Sequence, residues 1–342
     1  MVPAEFPEFT ELTEFREFNP RKLPTVLYAD ELIDKAFRRA SKVSGRNQRE
    51  KAINKLSTVS NVLSDYFQRI ISSHPSYDNL PEFYREMVDV VVGIRRLKKS
   101  LAALKWADEM TQKLINRYLR KLKGTRNPEQ VLKEAYGRIA SVIEQIDDEL
   151  RFLNEAKQKM REIPTLRNMP TVVVAGYPNV GKSSFVAAVS SVKPEVASYP
   201  FTTKAIYVGY AEIGGRKVQF IDTPGLLDRP LSKRNAIEKR AILCLRYAAN
   251  CILFIADPTE TCGYPFKKQK RLLGEVRRTF DIPIIVAYSK ADLHNLRDNP
   301  AFSTVTGEGI DEVLSLIEKV LDEVLDKETQ EVSDDSTAIQ EG

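Results

Sequence analysis

Histidine and cysteine are nearly absent from these 342 residues, which contain two of the first, His74 and His294, and three of the second, Cys244, Cys251 and Cys262. Two histidines cannot assemble a histidine-based metal centre, and the cysteines lack the paired spacing of a zinc site. An odd cysteine count reads as free thiols in a reducing compartment rather than a disulfide framework. No apolar run approaches the ~20 residues that span a bilayer. The start carries Glu5, Glu8, Glu11 and Glu14, unlike a secretory signal. The expectation is a cytoplasmic protein without membrane attachment, long enough for two domains.

Charge is unevenly spread. Residues 1–168 hold 31 Lys and Arg against 24 Asp and Glu, whereas residues 169–342 hold 21 against 23. Within 91–126 there are eleven basic residues (Arg95, Arg96, Lys98, Lys99, Lys105, Lys113, Arg117, Arg120, Lys121, Lys123 and Arg126) and two acidic ones, Asp108 and Glu109. Solvated helix faces usually mix the two signs, so this surplus points to an anionic partner such as RNA.

Pro3, Pro7, Pro20 and Pro24 interrupt the opening, which reads as an extended lead segment. From Asp30, a candidate helix cap, apolar residues recur every three or four positions. His74-Pro75 stops one helix, and Asn79 opens another that continues to Gly124. Asn127-Pro128 starts a last helix running to Pro164. Long helices with short connections predict an all-α antiparallel bundle over 1–168, to which no chemistry is assigned.

From Met169 short apolar strands alternate with helices: 171–175, 206–212, 218–222, 252–257 and 284–288. That alternation predicts a mostly parallel sheet with helices on both faces over 169–326. The acidic, Ser- and Thr-containing stretch 327–342 has little to bury and reads as disordered.

The first strand runs into Gly176-Tyr177-Pro178-Asn179-Val180-Gly181-Lys182-Ser183-Ser184. Glycines at this spacing, between a strand and a helix, let backbone N–H groups surround a phosphate at the helix N-terminus. Lys182 reaches the β and γ phosphates, and Ser183 a Mg²⁺ ion. Asp222-Thr223-Pro224-Gly225 ends another strand; there Asp222 can hold Mg²⁺ through water and the Gly225 N–H can meet a γ-phosphate. Between them, Thr202 or Thr203, with Thr203 preferred, could complete the Mg²⁺ shell.

Ser289-Lys290-Ala291-Asp292 follows the strand ending at Tyr288. The Asp292 carboxylate suits the N1–H and exocyclic amine of guanine, which adenine does not offer together, while the Lys290 stem packs along the base. Ser303, Thr304 and Val305 supply a backbone N–H for guanine O6. Each short motif alone fits an ordinary turn; their order along the chain is what carries the reading.

Across 169–325 these five motifs resemble the Obg-related GTPases of the translation-factor class, with a Ras-like G domain. Asp222 to Leu231, Arg234-Asn235-Ala236-Ile237-Glu238 and Thr261-Cys262-Gly263 narrow the resemblance to the nucleolar GTP-binding protein family, in a short archaeal-type form. The resemblance implies GTP/GDP and Mg²⁺ as ligands, slow GTP hydrolysis, and a role in large ribosomal subunit assembly. The implied partners are ribosomal RNA, ribosomal proteins and assembly factors, met by a monomer.

Two positions depart from the pattern. Ser289 stands where the base-reading motif has Asn. Leu226 occupies the place of the glutamine that orients water in Ras-like proteins, and cannot polarise it. Asn179 matches an asparagine that ligates K⁺ in some relatives, and reads equally as a loop residue capping its own turn. Two alternatives stay open: an RNA-binding scaffold holding nucleotide as a structural ligand, and an Obg-like NTPase with relaxed base preference.

Overall fold

The structure is a computed structural model and describes residues 18–201, 205–229, 234–296 and 298–338. The three-and-four apolar period of the first half folds into six α-helices: α1 Ala29–Ser41, α2 Gln48–Ser73, α3 Glu82–Val91, α4 Ile94–Gly124, α5 Pro128–Glu144 and α6 Asp147–Met160. Their starts have local causes. The side chains of Asn47 and Asn127 accept from the N–H groups of Glu50 and Gln130, the capping bond for which asparagine is favoured. Tyr28, not Asp30, is the residue ahead of α1, with Glu31 returning to its N–H. Asp30 falls in the first turn, where the helix dipole still favours its charge.

Two helices expected to be continuous are broken. Tyr77–Asn79 form a 3₁₀ turn and α3 begins only after Pro81. Gly93, at φ +81, then separates α3 from α4, its N–H donating to Val88 O and Asp89 O; glycine takes this left-handed turn without a Cβ clash. The stretch expected as one helix from Asn127 to Pro164 divides at Gln145-Ile146. Asp147, Asp148 and Glu149 open the new helix, where its positive end favours carboxylates. Asp147 is also drawn sideways, accepting from the Ala29 N–H at the head of α1 (2.9 Å) and from Arg151 (2.6 Å).

In the bundle α2 lies along α4, which also meets α5 and α6, while α1 packs on α2. Leu32, Leu56, Phe67, Leu97, Leu104, Ile139, Leu150 and Leu153 are fully buried between them, each contributing about 1.5–3 kcal/mol over an exposed position.

The second half is a seven-stranded sheet of β1 Thr171–Ala175, β2 Glu195–Ala197, β3 Ile206–Ile213, β4 Arg216–Asp222, β5 Cys251–Ala256, β6 Ile284–Ser289 and β7 Ala301–Phe302, in the order β2-β3-β4-β1-β5-β6-β7. The β2–β3 and β3–β4 pairs are antiparallel and the others parallel. Strands β2 and β7 lie at the edges and are too short to show as apolar runs. Every residue of β1 and β5 is buried, as expected of central strands covered on both faces. The covering helices are α7 Lys182–Val189, α8 Ala236–Leu243, α9 Phe266–Thr279 and α10 Ile310–Ala338.

The backbone of helix α10 continues through 327–338, into the stretch that composition alone reads as disordered. Once anchored by buried Val313, Ile317 and Leu321, a helix extends at one hydrogen bond per residue without a new nucleation cost. Residues 339–342 lie outside the described residues.

Helix α3 joins the halves. It packs against α8 and the 3₁₀ turn Cys244–Tyr247. The buried Tyr84 hydroxyl accepts from Leu166 N (2.7 Å) and donates to Leu166 O (3.1 Å). Asp89 pairs with Arg240 of α8 at 3.2 Å and also accepts from Ile94 N at the head of α4.

Candidate nucleotide site

The sheet order brings the predicted motifs to one edge. The loop 176–181 leaves β1, Asp222 ends β4, Asp257 follows β5, Ser289–Asp292 end and follow β6, and Ser303 follows β7. All lie at strand carboxyl ends, the side on which open α/β sheets bind ligands.

Close backbone approach shapes the first loop. Gly176 has φ +139, and a Cβ there would stand 2.2 Å from Ile255 O; Gly181 has φ +99. Both positions need glycine. Val180 is buried and locks the loop to the core, Pro178 is half-buried, and Ser183 and Ser184 are exposed at the head of α7. Lys182 is 6% exposed, and its ammonium donates to Gly176 O (2.9 Å) and Tyr177 O (2.8 Å), across the mouth of the loop. The Tyr177 ring rests against Tyr264 at 4.6 Å.

Asp222 is buried, with Oδ2 accepting from the Ser183 hydroxyl and Oδ1 lacking a partner among the described residues. Burial pushes its carboxyl up from the ordinary range, opposed by Ser183 and the Lys182 ammonium. An unpartnered buried carboxylate oxygen beside a hydroxyl is a donor set that fits Mg²⁺, a hard cation that favours oxygen.

The Gly225 N–H is engaged within its own loop, donating to Asp228 Oδ2 at 2.8 Å. Buried Arg234 donates to Gly225 O and Leu226 O and pairs with Asp228 at 3.5 Å. Leu226 is 1% exposed, so its side chain is core. Asn179 is exposed at φ +62, with no hydrogen bond from its side chain among the described residues. Thr202 and Thr203 lie outside the described residues.

The base end contains a residue that sequence reading missed. Lys290, at φ +61, places its ammonium 2.6 Å from Asp257 Oδ2 and 2.6 Å from Thr261 Oγ1. Asp257 is fully buried and also accepts from Thr259 N and Cys262 N. Burial alone would raise its carboxyl, but these bonds, that from Lys290 first, outweigh it and hold the group below its ordinary value. Gln269 clamps the Asp257 backbone from both sides, at 2.7 and 2.9 Å. The available signal was position: Asp257 follows an all-apolar strand as Asp222 closes another.

Ser289 is buried, its hydroxyl 3.3 Å from Ala256 O, and a Cβ on Gly181 would lie 3.8 Å from its Cβ. The phosphate loop and the end of β6 therefore abut. Asp292 is exposed in the 3₁₀ turn Ala291–Leu293. The Ser303 hydroxyl accepts from Val305 N and Thr306 N, which leaves Thr304 N–H as the candidate for a base contact; the Val305 side chain is open to solvent. Cys244, Cys251 and Cys262 are free and buried. No group of three or more metal-binding side chains occurs among the described residues.

Both halves of the chain are similar to known proteins. Residues 20–166 match the family model described as the NOG1 N-terminal helical domain, and residues 171–290 match that of a 50S ribosome-binding GTPase. An uncharacterized protein of Methanocaldococcus jannaschii is 47% identical over 293 residues, covering 81% of this chain and 82% of that one. Nucleolar GTP-binding protein 1 of Drosophila melanogaster is 33% identical over 241 residues, covering 69% of this chain and 37% of that protein. The counterpart of Saccharomyces cerevisiae is 32% identical over 232 residues, with 66% and 36% covered. The match thus spans little more than a third of these eukaryotic relatives.

Proposed function

The chain belongs to the nucleolar GTP-binding protein family, and from that premise we propose that it is a GTP-hydrolysing switch that docks on RNA of the large ribosomal subunit during assembly. The observation that carries the nucleotide part is the convergence of Lys182, Ser183, Asp222, Lys290 and Asp292 on one edge of the sheet. Bound Mg²⁺ would neutralise charge between the β and γ phosphates. Ser183 and Asp222 would hold it, with Thr203 preferred over Thr202 to complete the shell.

Gly225 supports a switch. Its N–H is donated to Asp228, so a γ-phosphate that uses this donor must take it from the Asp228 carboxylate. That exchange would loosen the Asp228–Arg234 pair, and Arg234 leads directly into α8, on which α3 of the bundle packs. Nucleotide state then has a physical route to the helical domain. Steady-state phosphate release with and without large ribosomal subunits tests the reading: turnover absent in both would leave a scaffold with a structural nucleotide. Competition of labelled GTP against ATP tests base preference.

Hydrolysis needs a source of charge stabilisation that the buried, apolar Leu226 cannot supply. Asn179, exposed at the loop tip, fits a K⁺ ligand. Replacing Na⁺ by K⁺ at constant ionic strength is expected to raise turnover by about tenfold or more, and Asn179→Ala to abolish the difference. Equal rates in both salts would leave Asn179 as a loop residue that tolerates φ +62.

The RNA part rests on α4 and the turn that follows it. Of the eleven basic residues in 91–126, Arg96 pairs with Glu149, Lys98 with Asp78 and Lys121 with Glu134. The other eight are exposed and have no ion pair among the described residues. Reversing Arg117, Arg120 and Lys121 to Glu is expected to weaken large-subunit RNA binding and flatten the log–log salt slope by about 2 to 3, at ~0.7–0.9 for each phosphate no longer neutralised. GTP turnover by the isolated protein should be unchanged. Parental RNA affinity with parental salt dependence would place the docking face elsewhere.

A further inference from the structure

Trp106 is the single tryptophan of the chain. Among the described residues it is the one large apolar side chain of the bundle left exposed, at 40%. The inward face of α4 is complete without it: Leu97, Leu104, Ala107, Ile115, Tyr118 and Leu122 are buried against the other helices. Isolated exposed apolar residues are common and need no explanation. What sets Trp106 apart is its company. Lys99, Trp106, Lys113 and Arg120 follow one another at intervals of seven. A straight α-helix drifts only ~20° per heptad, so the four share one face, with about 10 Å of rise between successive members. Arg95 and Arg117 flank the row one turn from Lys99 and Lys113, and Glu109 is the exposed carboxylate beside it.

Resting on the RNA-docking reading, we propose that this row is a single-stranded RNA site in which the Trp106 indole stacks on an unpaired base while Lys99, Lys113 and Arg120 contact phosphates on either side. An indole among cations matches both things a single strand offers, a π face and a charged backbone, and base–aromatic stacking accepts any base. A duplex offers the charge alone, because its bases are stacked within the helix. A loop, bulge or single-stranded segment is therefore the element that Trp106 selects.

The chain's single tryptophan makes the test direct. The full chain is titrated with a fluorescently end-labelled single-stranded 12-mer RNA, with the blunt duplex of the same sequence, and with anionic phosphatidylserine vesicles. Label anisotropy reports RNA binding, and intrinsic fluorescence reports Trp106. The expected result is quenching of Trp106 by the single strand at the concentrations where anisotropy rises, and duplex binding without quenching. Trp106→Ala should lose about tenfold or more in single-strand affinity with duplex affinity unchanged, and Trp106→Phe should recover most of it. If single strand and duplex both bind and Trp106 fluorescence does not respond, the RNA-docking reading survives and the stacking proposal is overturned. If neither RNA raises the anisotropy, both fail. A blue shift with vesicles and no response to RNA would assign the row to a membrane surface and likewise overturn it. The titration of the unmutated chain decides these outcomes even if Trp106→Ala folds poorly.

Discussion

Lys182→Ala is expected to weaken GTP binding by about a hundredfold or more, with turnover falling to the level of a protein-free control. The ammonium is buried in the first turn of α7 and donates to Gly176 O and Tyr177 O. It is thus held, already desolvated, over the loop proposed to receive the phosphates. Truncating one partner of a buried, hydrogen-bonded charge pair costs about 2–5 kcal/mol, which is the basis of the expected factor. Folding should suffer little, because the bonds to Gly176 O and Tyr177 O lie at the loop mouth, away from the bundle core. Titration with a fluorescent guanine nucleotide measures the affinity, and the thermal unfolding midpoint controls for folding. Parental affinity and turnover in a folded variant would remove residues 176–184 from the active site.

Asp292→Asn should exchange guanine for xanthine. In the proposed site the carboxylate would accept from the N1–H and exocyclic amine of guanine, and hydrogen bonds to charged groups contribute about 1.5–3 kcal/mol each. The amide has one acceptor fewer and presents a donor, which suits the carbonyl that xanthine has at position 2. GTP affinity should fall about a hundredfold while xanthosine triphosphate affinity rises, measured by competition for one labelled nucleotide. The surroundings favour a clean exchange: Asp292 is exposed, and the nearby Lys290 is fixed independently by Asp257 and Thr261. Undiminished selectivity for guanine would show that the base is read by other residues.

Most of the candidate site is legible in the sequence because its signals are contiguous. A phosphate loop is a local object: the glycines, lysine and serine of 176–183 must be neighbours in sequence for their backbone to curl around an anion, so spacing encodes geometry. Asp222-Thr223-Pro224-Gly225 and Ser289-Lys290-Ala291-Asp292 are legible for the same reason. Asp257 was not, since its importance lies in meeting Lys290 from the neighbouring strand, and the pairing of β5 with β6 is not written in either segment. The Gly225 N–H was legible as a donor, but its acceptor was not, because Asp228 reaches it only through the turn that Arg234 holds.

The helical half divides along the same line. Its long amphipathic period and the outward surplus of Lys and Arg followed from residue order, because a 3.6-residue repeat assigns each side chain a face whatever the helix packs on. The breaks were less legible. Gly93 interrupts a pattern in which a single glycine is also tolerated within a helix, and the division before Asp147 is reinforced by a bond to Ala29, more than a hundred positions away. By itself, then, the sequence determined two domains, a phosphate loop with its companion motifs, and a basic helix bearing one tryptophan, since each rests on interactions within a few residues of chain. Only the tertiary structure decided that Asp257 fixes Lys290, that Asp228 accepts from the Gly225 N–H, and that α3 ties α8 to the head of α4 through Asp89. Those partners are brought together by strand order and helix packing, and the free energy that selects them is spread over the whole core rather than held in any one segment.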